Sequence, residues 1–153
     1  MQSHTGKVYD IDYVQDLNWT QIALRGDFIG FLRELRMQSL LQSAMSTGLL
    51  ATVSYEEADP HRIVRVAVRH DPPPEIPGAN QYRVVAIEID ETNGKFSTTF
   101  LASDGQQNTA FTRDSRMELI LLDAFRERWK IQELIIEANT SEILRGKVNL
   151  DTR

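Results

Sequence analysis

From Asp27 the apolar residues Phe28, Phe31, Leu32 and Leu35 recur at the spacing of one helix face, with Asp27 placed to cap the first turn and Gly48 suited to the stop. Continued at 100° per residue, Met37, Leu40, Leu41, Ala44 and Met45 fall on the opposite side from that stripe. One straight helix cannot bury both stripes against one sheet. Either the helix breaks near Arg36, or its second half packs against the amino-terminal tail or a second subunit. The latter option makes Met37, Leu40, Leu41 and Met45 candidate residues of an oligomer interface.

Beyond Gly48 the period changes to two. Ala51, Val53 and Tyr55 face one way, and so do Val64, Val66 and Val68, with Arg65 and Arg69 on the other side. Val85, Ile87 and Ile89 share a face, as do Phe96 and Phe100. Asn93-Gly94 supplies the positive φ angles of a tight hairpin, and Pro60 marks a second turn. The link from His70 to Gln81 holds Pro72, Pro73, Pro74 and Pro77 and reads as a stiff, exposed loop.

Ser103–Asn108 reads as a polar loop, and Ser115 and Glu118 have the spacing of a capping box that opens a helix to about Trp129. Residues 130–138 fit either period. A strand is preferred, because a longer helix would place Arg128 in the middle of its apolar face. Asn139 and Thr140 then start a short helix ending at Gly146. No internal repeat or low-complexity tract stands out. The expected fold is α+β: an antiparallel meander of four to five strands packed on one face against helices, one preceding the strands and one following them. Residues 1–153 read as one domain, with residues 1–17 an irregular, poorly ordered tail holding at most a short strand at Val8–Val14.

At 153 residues, 41% apolar and 25% charged, the chain has ordinary globular proportions. The absence of cysteine removes disulfides, thiolate metal sites and thiol nucleophiles. No apolar run follows Lys7 as in a signal peptide, and none is long enough to span a membrane, so a cytoplasmic protein without membrane partners is expected. A net charge of −5 repels phosphate backbones overall. Thirteen of the 17 basic residues are Arg, which makes planar contacts with carboxylates and phosphates.

Candidate chemistry is sparse. Glu56, Glu57, Asp59 and His61 crowd a turn, but successive strand residues alternate sides and do not converge on a metal. Glu88, Asp90 and Glu91 form a second acidic row without a sign of burial. His4, His61 and His70 lack metal-binding or triad spacing, and the glycines are too dispersed for a phosphate loop. No catalytic residue, metal ligand or cofactor is assigned. Arg65, Arg69 and Arg83, with Ser97 and Thr99, form a candidate anion-binding sheet face, for which cross-strand pairing with Glu88 or Glu56 is the plainer explanation.

A helix followed by Val53-Ser-Tyr55, Val64–Val68, Tyr82-Arg-Val-Val-Ala86 and an Asn-Gly hairpin resembles the small barrel of WYL-type regulatory domains over residues 37–102. Gln81-Tyr82-Arg83 stands where that family has Trp-Tyr-Leu, so the resemblance carries no assignment. The sequence therefore reads as a homodimeric, non-catalytic binding or protein-interaction module. Two alternatives stay open: nucleic-acid or anion binding through the arginine face, and a small enzyme with a dispersed site.

Overall fold

The structure, a computed structural model, describes residues Met1–Thr152. It holds ten strands and two α-helices: β1 (Gln2–Val14), β2 (Trp19–Leu24), β3 (Phe28–Leu32), α1 (Leu35–Thr47), β4 (Leu50–Tyr55), β5 (His61–Arg69), β6 (Gln81–Asp90), β7 (Phe96–Leu101), β8 (Gln107–Thr112), α2 (Ser115–Glu127), β9 (Lys130–Ile136) and β10 (Ile143–Lys147). This corrects the expected fold class. The protein is mostly antiparallel sheet rather than a four- to five-stranded meander against helices. The chain divides into two compact units: Met1–Arg69 with Glu88–Gly94, and His70–Ile87 with the described residues from Lys95 onward.

In the first unit β1, β2 and β3 form an antiparallel meander; α1 then leads to β4, which returns antiparallel to β1. β5 lies antiparallel to β4 and closes the ring through a short parallel contact with β3, Gly30 opposite His61 and Phe31 opposite Arg62. The ring order β1-β2-β3-β5-β4 is that of a small, partly open Greek-key barrel, the arrangement shared by OB-folds. Ile22, Leu24, Leu32, Val53, Ile63 and Val66 fill its interior. Two close approaches depend on glycine. A Cβ at Gly6 would meet the Arg25 carbonyl oxygen at 2.4 Å, and one at Gly30 would meet the Phe28 ring at 2.8 Å.

The helix expected from Asp27 is strand β3. Phe28, Gly30 and Leu32 turn inward, while Ile29 and Arg33 turn out. Gly26 and Asp27, both with positive φ, make the tight turn that reverses β2 into β3. The two opposed apolar stripes thus belong to a strand and a helix in succession. Once α1 starts at Leu35, Met37, Leu40, Leu41 and Ala44 form a single buried stripe. Each fully buried Met or Leu there contributes about 1.5–3 kcal/mol. Residues 2–14, expected to be largely irregular, form a 13-residue strand whose register shifts between Val8 and Asp10, so that Val8 and then Ile11 lie opposite the inward residues Leu24 and Ile22.

The second unit repeats this plan. β6, β7 and β8 run as a meander, α2 leads to β9, β9 pairs antiparallel with β6, and β10 pairs antiparallel with β9. Phe111 meets Glu142 in a parallel bridge. That bridge lies 80 residues after the Phe31–Arg62 pair. The helices are also 80 apart, each of 13 residues. Each ends on a left-handed residue, Gly48 or Arg128, and the next amide returns to an alanine carbonyl: Leu49 to Ala44 and Trp129 to Ala124, both at 3.0 Å. Before the turn joining the second and third strands the offset is 76, since Lys7 opposes Leu50 where Arg83 opposes Lys130.

The internal repeat is therefore real although the sequence hid it. It surfaces at the strand–helix junction, where Phe31-Leu-Arg-Glu-Leu-Arg-Met37 is matched by Phe111-Thr-Arg-Asp-Ser-Arg-Met117, with Leu41 and Ala44 matched by Leu121 and Ala124. Three further expectations change. Gln107–Thr112, partly assigned to a loop, is β8, and the short helix after Asn139 is a turn followed by β10. Residues 130–136 form strand β9. Asp114, rather than Ser115, caps α2, its carboxylate accepting the Arg116 amide at 2.8 Å.

Candidate functional site

The repeated junction builds the same polar cluster twice. In the first unit the Arg33 guanidinium lies 5.9 Å from the Phe31 ring centre, and Arg36 pairs with Glu34. In the second, Arg113 lies 5.1 Å from the Phe111 ring centre and Arg116 pairs with Asp114 at 3.1 Å. A second group covers each Phe: Trp19, which opens β2, stacks on Phe31 at 4.0 Å, and Lys95, the residue before β7, sits 4.4 Å from the Phe111 ring centre. The Arg116 side chain holds the Asp114 carboxyl below the usual carboxylate range, helped by the Arg116 amide.

What differs is what lies beside the cluster. In the first unit Glu88–Gly94 packs against it. The Glu91 amide donates to the Val64 carbonyl at 2.9 Å, Arg62 meets the Glu91 carboxylate at 2.9 Å, and Arg36 donates to the Gly94 carbonyl at 3.4 Å. Ile89, within this segment, is fully buried. In the second unit the counterparts of Val64, Arg62 and Arg36 are Leu144, Glu142 and Arg116. They line an open groove of about 590 Å³, with Met117 and Ile120 among its apolar lining. Leu144 is 56% exposed.

No family model, curated protein or solved structure matches this chain. The resemblance to WYL-type domains thus gains no support.

The residues singled out from sequence are dispersed. Arg65 pairs with Glu88 at 3.4 Å in the first unit. Arg69, exposed, ends β5 in the same unit, while Arg83 in the second unit donates to the Arg128 carbonyl at 3.0 Å. Met37, Leu40 and Leu41 are fully buried within the first unit's own core, and only Met45, 43% exposed, is free to meet another chain. Their burial has its physical reason in the start of α1 at Leu35, which turns this stripe into the first unit's own core. Three aromatic rings around Phe28, those of His4, Tyr55 and His61, lie with centroids 4.8–6.0 Å from it. His4 Nε2 and His61 Nδ1 are held by backbone carbonyls, a structural role.

His70 is the one histidine in a core. It is 2% exposed, stacks on Phe125 at 4.2 Å, and its Nε2 donates to the Phe125 carbonyl at 2.8 Å. Burial pushes its pKa down, against the raising effect of that hydrogen bond. Among the described residues no group of three His, Asp or Glu is placed to hold a metal ion, and no helix is long and apolar enough to cross a membrane. The groove went unseen in the sequence. The signal that could have found it is the Phe-x-Arg-acid-x-Arg-Met string repeated at a spacing of 80.

Proposed function

We propose that the chain is a non-catalytic protein-interaction module whose second unit binds an extended turn of a protein partner in the groove bounded by β8, α2 and β10. The observation that carries the reading is the filled counterpart, in which the Val64 carbonyl and Arg36 hold Glu91 and Gly94. Such a site draws affinity from main-chain hydrogen bonds and selectivity from the flanking side chains. Arg116 retains the role of Arg36, and the Leu144 backbone stands where Val64 does. Glu142 replaces Arg62, so the preferred turn carries a hydrogen-bond donor where the first unit has Glu91.

The test is a cyclised peptide of residues 87–95 carrying Glu91→Gln, titrated into the isotopically labelled protein. Amide shifts confined to Thr112–Met117 and Glu142–Leu144, and abolished by Leu144→Asp, are expected. Saturating shifts elsewhere, or none at millimolar peptide, would reject the reading.

A second reading, single-stranded nucleic acid on the outer face of β2 and β3, has one observation in its favour: the Trp19–Phe31 stack beside Arg33. Barrels of this strand order do bind oligonucleotides there, which is an analogy of fold. Asp12, in the same cross-strand row as Gln21 and Phe31, and the net charge of −5 weigh against it. Tryptophan emission unchanged by oligo-dT at low salt would dismiss it.

A further inference from the structure

We infer that the partner of the second unit's groove is a second copy of this chain, which inserts its own β1–β2 turn, Asp12–Asn18, to give head-to-tail assembly. This rests on the reading above and adds the identity of the occupant.

The offset of 76 makes Asp12–Asn18 the counterpart of Glu88–Gly94, the segment that fills the first unit's groove. Between their flanking strands the turns are four residues (15–18) and five residues (91–95) long, and each carries a left-handed residue at matching positions, Asn18 and Gly94. Tyr13 stands where Ile89 is fully buried, yet Tyr13 is 60% exposed and Leu17 of the same turn 49% exposed. The turn thus exposes an aromatic ring at the position whose counterpart in the filled segment is fully buried.

Polar partners change together on the two sides. Where the first unit matches Arg62 with Glu91, the second copy's turn would bring Gln15 to Glu142, an amide donor to a carboxylate. Arg116 would meet the Asn18 carbonyl as Arg36 meets that of Gly94, and the Gln15 amide would donate to the Leu144 carbonyl. Asp12 and Asp16 on the turn would approach Arg113 and Arg116 on a rim that also carries Asp114 and Glu142, so charge neither drives nor opposes the contact overall. Because groove and turn are different surfaces of one chain, the contact is heterologous. It closes into a ring or extends as a filament according to the rotation between copies.

Sedimentation velocity over a range of concentrations, on the full chain, tests this with two variants. Tyr13→Asp spoils the turn and leaves the groove; Leu144→Asp spoils the groove and leaves the turn. The wild-type protein is expected to assemble beyond a monomer as concentration rises, and each variant alone to remain a monomer. An equimolar mixture of the two has one intact groove and one intact turn and is expected to stop at dimers. A variant that assembles by itself, or a mixture that stays monomeric while the wild type assembles, would overturn the head-to-tail contact. A monomeric wild type at the highest concentration would overturn self-recognition too, while peptide binding at the groove would leave the interaction module standing. Circular dichroism of both variants confirms that they are folded.

Discussion

Phe31 and Phe111, 80 residues apart, occupy one structural position twice: each is the last residue but one of its unit's third strand, beneath the guanidinium of the arginine two residues later. Everything functional proposed for this protein follows from that duplication, since it lets the filled groove of one unit show what the open groove of the other accepts.

Thr98 is a test of the duplication in the core. Its hydroxyl is buried in the second unit without a hydrogen-bond partner, whereas the matching position in the first unit is the buried Ile22. Thr98→Val should stabilise the protein by about 1 kcal/mol, because the buried, unsatisfied hydroxyl is removed with little change of shape. Urea unfolding would measure it, and a loss of stability would place an unseen partner at the hydroxyl.

Leu41 tests where the helix stripe is buried. Leu41→Ala should cost roughly 2–5 kcal/mol as a core truncation and leave the oligomeric state of the remaining folded protein unchanged. A variant of wild-type stability that assembles differently would restore the subunit contact expected from sequence.

Gly6 tests the close approach of β1 to Arg25. Gly6→Ala should lower stability by roughly 1–3 kcal/mol, since the added Cβ would lie 2.4 Å from a backbone oxygen. An unaffected melting temperature would mean that the strand shifts freely.

His70 sets a pH dependence. The unfolded chain takes up a proton near the ordinary histidine value of about 6.5, while the folded protein, with its lowered pKa, resists protonation until lower pH. Stability supported by the neutral ring is therefore complete above about pH 6.5 and declines as the pH falls toward the folded-state value. Urea midpoints between pH 8 and 5 should fall more steeply for the wild type than for His70→Asn, whose overall loss of stability is subtracted. Parallel curves would show that His70 is not the titrating group.

Much of the central region was legible in residues. Alternation in Val64–Val68 and Val85–Ile89 together with Asn93-Gly94 placed β5, β6 and the β6–β7 turn, because buried strands with one wet face write their period directly into sequence. The first barrel was misread because Phe28, Phe31 and Leu32 happen to fit helical spacing, and because the bulge between Val8 and Asp10 breaks alternation in β1. β8 was obscured by the exposed polar residues Gln107–Thr109 that open it. The duplication escaped notice because its shared residues cluster at one junction and are diluted along the strands. The groove is made by residues brought together only when β10 lies beside the start of α2.

The most direct measurement is amide hydrogen exchange of Gln15 and Glu91 as a function of protein concentration. Glu91, bonded to the Val64 carbonyl, is expected to be protected at every concentration. Gln15, its counterpart, is expected to exchange freely in dilute protein and to gain protection as the turn enters a neighbour's groove. Protection of Gln15 that does not change with concentration, or a Glu91 amide that exchanges as fast as Gln15, would contradict the filled and open grooves on which the proposed function stands.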